Sequence, residues 1–120
     1  MAHPVMWFEV MGKNGNALRE FYGSIFQWTF KVSGPAQYGM ADTGDVRGIP
    51  GGVGHAPAPA TPHGVTFYVE TPDVAASLAQ AERLGGRTLM PVMKIDDATT
   101  IGLFTDPEGH VVGLIQAQAA

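Results

Sequence analysis

Residues Ile101–Gln116, IGLFTDPEGHVVGLIQ, decide the fold. An apolar run, the turn Asp106-Pro107-Glu108-Gly109 and a second apolar run read as a β-hairpin. Proline carries the φ that the second turn position needs, so Pro107 fits there, and Gly109 supplies the conformation with which the chain leaves the turn.

Upstream, short apolar runs keep alternating with turn residues. Pro4–Met11 reads as a strand and Gly12–Gly15 as a turn. Asn14 or Asn16 can cap a helix over about Asn16–Phe26, because an Asn side chain accepts a bond from an orphaned N–H. Leu18, Phe21, Tyr22 and Ile25 then share one helical face. Trp28–Val32 and Gln37–Asp42 are the next strands, Asp42–Arg47 is a tight turn, and Gly48–His55, GIPGGVGH, is a glycine-rich fourth strand. Ala56–Pro62, APAPATP, holds too much proline for a helix or central strand and reads as a linker. Gly64–Glu70 is a strand, and Asp73–Leu84 a helix with Val74, Leu78, Ala81 and Leu84 on its buried stripe. Gly85-Gly86 stops it. Arg87–Ile95, Thr99–Thr105 and His110–Gln116 are the closing strands.

Each half, about residues 1–55 and 63–120, therefore runs β-α-β-β-β. An offset of 59 residues sets Trp7 against Thr66, Phe8 against Phe67, Val10 against Val69 and Asn14 against Asp73. Such a duplication points to two modules about a pseudo-twofold axis. The expected fold is α+β: two βαβββ modules in one single-domain chain, residues 1–120, forming curled mixed β-sheets around a cleft.

Composition narrows the function. A chain of 120 residues buries one modest core, and 45% apolar with 15% charged residues is a globular composition with a sparsely charged surface. A formal net charge of −4 without a basic run argues against nucleic-acid or anionic-membrane partners. Having no cysteine excludes disulfides, thiolate metal sites and a cysteine nucleophile, and agrees with a cytoplasmic location. MAHPVMWFEV lacks a charged segment leading into a long apolar run, so no signal sequence is expected there. Pro50-Gly51-Gly52-Val53-Gly54 lacks both the strand–glycine–helix context and the lysine of a nucleotide loop.

Six pieces taken in order, WFEV, LREFYGSIFQW, GIPGGVG, FYVETPDV, ERLGG and DPEGHVVGLIQ, resemble the vicinal-oxygen-chelate superfamily of glyoxalases, extradiol dioxygenases and bleomycin- and fosfomycin-resistance proteins. The resemblance covers essentially the whole chain. It implies an open cup into which alternate strand residues point, and it places Gln27 where the family's FGW motif has glycine. It also implies metal ligands at Trp7 and Thr66 on the first strands, at Gly113 on the last strand, and at Gly51 or Gly52. Neither indole nor glycine supplies a lone pair, and a lone threonine hydroxyl is a poor ligand, so no metal and no other cofactor is expected. The histidines at 3, 55, 63 and 110 show no spacing that brings two rings together, and His55 with His63 is the one pair that merits a check.

Strand parity places Trp7, Glu9 and Met11, and Thr66, Tyr68 and Glu70, toward the cup. Trp7, Tyr68 and Met11 make a flat, polarisable lining, and Trp7 alone can equally plug it. Glu9 is a candidate general base or an anchor for a cationic ligand, unless it pairs with Lys13, Arg19 or Arg47. The glycines at 51, 52, 54 and 113 either leave room for a ligand or permit close strand packing. The leading expectation is a metal-free protein that binds a small aromatic or cationic ligand through Trp7, Glu9, Met11, Thr66 and Tyr68 and pairs as a homodimer. The alternatives are a lyase or isomerase, with Glu9 as base or with a relocated metal, and a dimeric interaction module whose cup Trp7 fills.

Overall fold

The computed structural model describes residues 2–34, 37–56 and 64–117. Its elements run β1 (Val5–Gly12), α1 (Gly15–Phe26), β2 (Thr29–Ser33), β3 (Tyr38–Asp42), β4 (Gly51–His55), β5 (Gly64–Thr71), α2 (Val74–Arg83), β6 (Arg87–Asp96), β7 (Thr99–Thr105) and β8 (Val111–Gln116). The α+β class and the two βαβββ modules are those expected. Contacts gather into two compact units, Trp7–Thr66 and Met1–Met6 with Phe67–Ala120. The linker expected at Ala56–Pro62 lies outside the described residues beyond Ala56.

In the N-terminal module the strand order is β2-β3-β4-β1, with β1 parallel to β4 and the other neighbours antiparallel. The C-terminal module repeats it as β5-β8-β7-β6, again with its first strand parallel to its last. A parallel pair needs a long crossover, and the helix with two strands supplies it. The edge strand β6 carries Pro91, which an edge tolerates because no ladder hydrogen bond is lost there, and its register with β7 slips three times.

The helix ends follow local chemistry. Asn14 caps α1 by accepting from Ala17 N at 3.0 Å, and Asp73 caps α2 by accepting from Ala76 N at 3.0 Å, so the repeat aligns the two caps. Helix α1 ends on Gln27 at φ 57°, a left-handed cap that costs a non-glycine residue about 1 kcal/mol. Helix α2 ends in a Schellman motif, with Gly86 N donating to Ala81 O at 2.8 Å and Gly85 at φ 104°. The hairpin forms as read: Gly109 N donates to Asp106 O at 2.9 Å, and Gly109 leaves the turn at φ 93°. The Asp106 carboxylate accepts from the Glu108 and His110 main chain and meets His110 Nδ1 at 3.0 Å. These bonds, the His110 main chain foremost, hold its pKa below the usual aspartate value of 3.8.

Three expectations need correction. Strand β4 begins at Gly51, not Gly48, because Pro50 cannot donate to a ladder and serves only as an acceptor, its oxygen taking the Phe8 N–H at 3.3 Å. On α1, Phe21 and Ile25 are 57% and 50% exposed, while Gly15 and Arg19 are buried. On α2, Leu84 is the C-cap and 72% exposed, so the core of that module is Val74, Leu78 and Leu114, with Val69 and Phe104 packed against them. Leu78→Ala should therefore lower the unfolding free energy by about 2–5 kcal/mol, and Leu84→Ala by less than about 0.5 kcal/mol. Urea denaturation of both variants checks this, and equal losses would contradict the core assignment.

Candidate functional site

The N-terminal sheet has two unlike faces. A Cβ on Gly39 would run into Arg19 of α1, so Gly39 faces the helix, and with it its register partners Val53 and Val10. The other parity carries Trp7, Glu9 and Met11 of β1, Gly52 and Gly54 of β4, and Tyr38 and Met40 of β3. The parity read from sequence therefore places Trp7, Glu9 and Met11 together on the face opposite α1.

A hydrogen-bonded chain runs across that face. The Trp7 indole Nε1 donates to the Tyr38 hydroxyl at 2.9 Å, and the hydroxyl donates to Glu9 Oε2 at 3.0 Å. Trp7, Glu9 and Tyr38 are all half-buried. The phenol is fixed as acceptor on one side and donor on the other, so the carboxylate oxygen is held in place by a side chain two strands away. The cations weighed as partners for Glu9 are engaged elsewhere or lie at the surface. Arg47 clamps Asp45 through two bonds, Arg19 donates to main-chain oxygens on the helix face, and Lys13 is exposed. Tyr38 is the residue that sequence reading missed. Its signal was available in the strand pairing, because an aromatic side chain diagonal to a glycine on the next strand tends to cover it.

Glycine makes that arrangement possible. A Cβ on Gly52 would collide with the Tyr38 ring and hydroxyl, and one on Gly51 with the Phe8 ring on the opposite face. The choice between Gly51 and Gly52 is now settled by register: Glu9 pairs with Gly52 as Tyr68 pairs with Gly113, so Gly52 is the counterpart of Gly113. In the C-terminal module the Tyr68 ring itself lies over Gly113, and Tyr68 is 6% exposed. Thr66, half-buried, lies two residues earlier on β5.

These residues do not fit the family's metal. The positions that would hold it carry an indole, a lone hydroxyl and two glycines, and the space above each glycine is filled by a tyrosine ring. Among the described residues no three of His, Cys, Asp and Glu converge on one point. His3 and His110 are exposed and His55 half-buried, and the pair with His63 lies outside the described residues. Nor, among the described residues, is any helix long and apolar enough to cross a membrane.

Two βαβββ modules with like topology define the fold of the vicinal-oxygen-chelate proteins. The chain belongs to the glyoxalase-like domain family, whose pattern it matches over residues 10–115. It is 28% identical over 116 residues to proteins of Mycobacterium bovis and Mycobacterium tuberculosis named "Putative glyoxylase CFP32". The match takes in 92% of this chain but only 44% of those relatives' length. Among solved structures, a glyoxalase/bleomycin resistance protein/dioxygenase superfamily member from Vibrio splendidus superposes with a TM-score of 0.64 at 14% identity, covering 97% of this chain and all of the other. Methylmalonyl-CoA epimerase from Mycobacterium tuberculosis superposes with a TM-score of 0.65 at 9% identity, covering 96% of this chain and 88% of its own. At such identities the likeness is one of fold.

Purified protein should accordingly hold no stoichiometric divalent ion and show no glyoxalase activity with nickel or zinc. Gly113→Glu should fail to install a site, because the new side chain meets the Tyr68 ring. Elemental analysis finding one tightly held metal per chain would overturn this.

Proposed function

We propose that the protein binds a small aromatic or cationic molecule without a metal, in the manner of the bleomycin-resistance branch of its superfamily. The observation that carries this reading is the chain from Trp7 through Tyr38 to Glu9. It sets a carboxylate acceptor beside an indole and a phenol, with the Met11 thioether close by, its sulfur 3.8 Å from where a Gly54 Cβ would stand. Aromatic faces attract cations and stack planar rings, while a fixed carboxylate chooses charge and orientation. In the C-terminal module the corresponding proposed ligand-binding residues are Thr66 and Tyr68. The lack of cysteine suits a reducing cytoplasmic setting.

The same hydrogen bond supports a second reading, a lyase or isomerase in which Glu9 removes a proton. A base needs its acceptor oxygen held within reach of the substrate, and Tyr38 does the holding. Incorporation of solvent deuterium into a bound ligand, lost in Glu9→Gln, would favour this reading over simple binding.

A thermal-shift screen of aromatic metabolites, organic cations and antibiotics is the direct test, because a ligand of the native state raises the melting temperature. Trp7→Ala should cost about 1–2 kcal/mol on area grounds, since the indole is half-buried, and should abolish binding of any molecule the screen returns. Glu9→Gln keeps shape and removes charge, so a cationic ligand should weaken while a neutral aromatic one barely changes. The binding reading fails if no molecule shifts the wild type and Trp7→Ala unfolds the chain.

We further propose a homodimer. Val5 and Met6 on β1 and Val65 and Phe67 on β5 are exposed in the single chain, apolar strand surface of the kind that a partner covers. Static light scattering should return twice the 12.7 kDa chain mass, and a monomer independent of concentration would refute the pairing.

A further inference from the structure

We infer that a second ligand site lies on the helix face of the N-terminal module. It is the groove between α1 and β2, where the buried Arg19 takes the carboxylate of a small organic acid bearing an aromatic ring. Arg19 is 6% exposed, and its Nη1 donates to the main-chain oxygens of Gln37 at 2.7 Å and Val53 at 3.2 Å. Among the described residues Arg47 forms an ion pair with Asp45, His110 Nδ1 lies 3.0 Å from Asp106 Oδ2, and neither contact involves Arg19. A buried guanidinium facing only carbonyl dipoles keeps its charge uncompensated, which is costly.

The repeat shows how unusual that is. The offset that aligns Asn14 with Asp73 places Arg19 on Leu78, a 5% exposed core residue of the C-terminal module. The glycines beneath them correspond as well: a Cβ on Gly39 would meet Arg19 Cδ, and one on Gly102 would stand 3.1 Å from Leu78 Cδ1. One backbone position thus holds leucine in one module and a cation in the other. Packing alone is satisfied by leucine there, and no ion pair among the described residues joins Arg19 to the neighbouring Glu20, so the counter-charge is assigned to a bound carboxylate.

The groove beside it suits such a group. It measures about 470 Å³ and is open to solvent, lined by Arg19, Glu20, Gly23, Ser24, Trp28 and Phe30. Glycine at 23 keeps its floor clear, because a Cβ there would stand 3.2 Å from Trp28 O and 3.5 Å from the Phe30 ring. Nη1 makes both main-chain bonds of Arg19, and in the proposed complex the Nε–Nη2 edge of the guanidinium takes the carboxylate. Half-buried Phe30 offers surface to an aromatic ring, next to the Trp28 ring that packs on Phe8, Tyr22 and Phe26, and Ser24 lies exposed at the rim. Glu20, also exposed in the groove, disfavours a second anionic group on the ligand and would favour an ammonium. Simple aromatic acids and aromatic amino acids share the required chemistry.

The test uses the full chain labelled with nitrogen-15 and its two tryptophan indole signals, assigned through Trp7→Phe. Benzoate should shift the Trp28 signal saturably and leave that of Trp7 in place, which separates this site from the Glu9 face. Benzamide, of the same shape without the charge, should bind at least about tenfold more weakly. Phenylalanine run in parallel shows whether Glu20 adds an ammonium contact; tighter binding than benzoate assigns the site to amino acids, weaker binding to simple acids. Arg19→Met should abolish the benzoate response. Should that variant not fold, Ser24→Glu decides, since a carboxylate added at the exposed rim should repel benzoate by a similar factor. Equal responses to benzoate and benzamide, no response to benzoate, or a benzoate response unchanged in Ser24→Glu would overturn the proposal.

Discussion

Two adjacent glycines in β4 carry the arrangement of the N-terminal module. Gly51 lets the Phe8 ring lie against the strand on the helix face, and Gly52 lets the Tyr38 ring lie against it on the other. Each glycine weakens a strand by about 0.5–1 kcal/mol relative to alanine, and each is covered here by an aromatic ring whose burial offsets that loss. The Phe8 ring then reaches Trp28 at a centroid distance of 5.3 Å, tying β1 to the start of β2. The Tyr38 ring brings its hydroxyl between Trp7 and Glu9. Core and candidate site thus depend on the same backbone detail, read from opposite faces.

The two modules keep one geometry and fill it differently. Caps, parallel first-to-last pairing and the glycine under the helix recur. At Gly15 and Arg19 of α1, however, the C-terminal module has Val74 and Leu78, the centre of its apolar cluster. Gly15 lets α1 approach so closely that a Cβ would stand 2.7 Å from the Gly54 carbonyl carbon. The C-terminal module holds its helix by apolar burial. The N-terminal one holds it by close backbone approach and by an arginine bonded to the main-chain oxygens of Gln37 and Val53. That difference frees polar chemistry for the N-terminal module, where both the carboxylate face and the arginine groove lie.

The fold was largely legible in the chain. Turn chemistry at Asp106–Gly109, the asparagine and aspartate caps, the Gly85-Gly86 stop and the repeated order of elements all act over a few residues, and the structure keeps each of them. What periodicity misjudged were side chains near helix ends and in polar disguise. Leu84 reads as buried but caps α2 in solvent, and Arg19, weighed in sequence only as an ion-pair partner for Glu9, is buried. Hydrophobicity alone does not say whether an arginine stem will lie flat across a glycine.

Strand parity, a property of consecutive residues, placed Trp7, Glu9 and Met11 on one face without any tertiary information. Their partner came from elsewhere. Tyr38 is 31 residues from Trp7 and 29 from Glu9, and only the β1–β4 and β3–β4 registers bring its hydroxyl between them. The register likewise decided that Gly52 is the counterpart of Gly113, and that the space over each is taken by a tyrosine ring. The sequence by itself determined the order of elements, the missing ligand donors and the facing of β1, because these follow from local backbone geometry and residue chemistry. Tertiary structure alone decided which aromatic covers which glycine and where Arg19 points, because those contacts close only when strands far apart in the chain come into register.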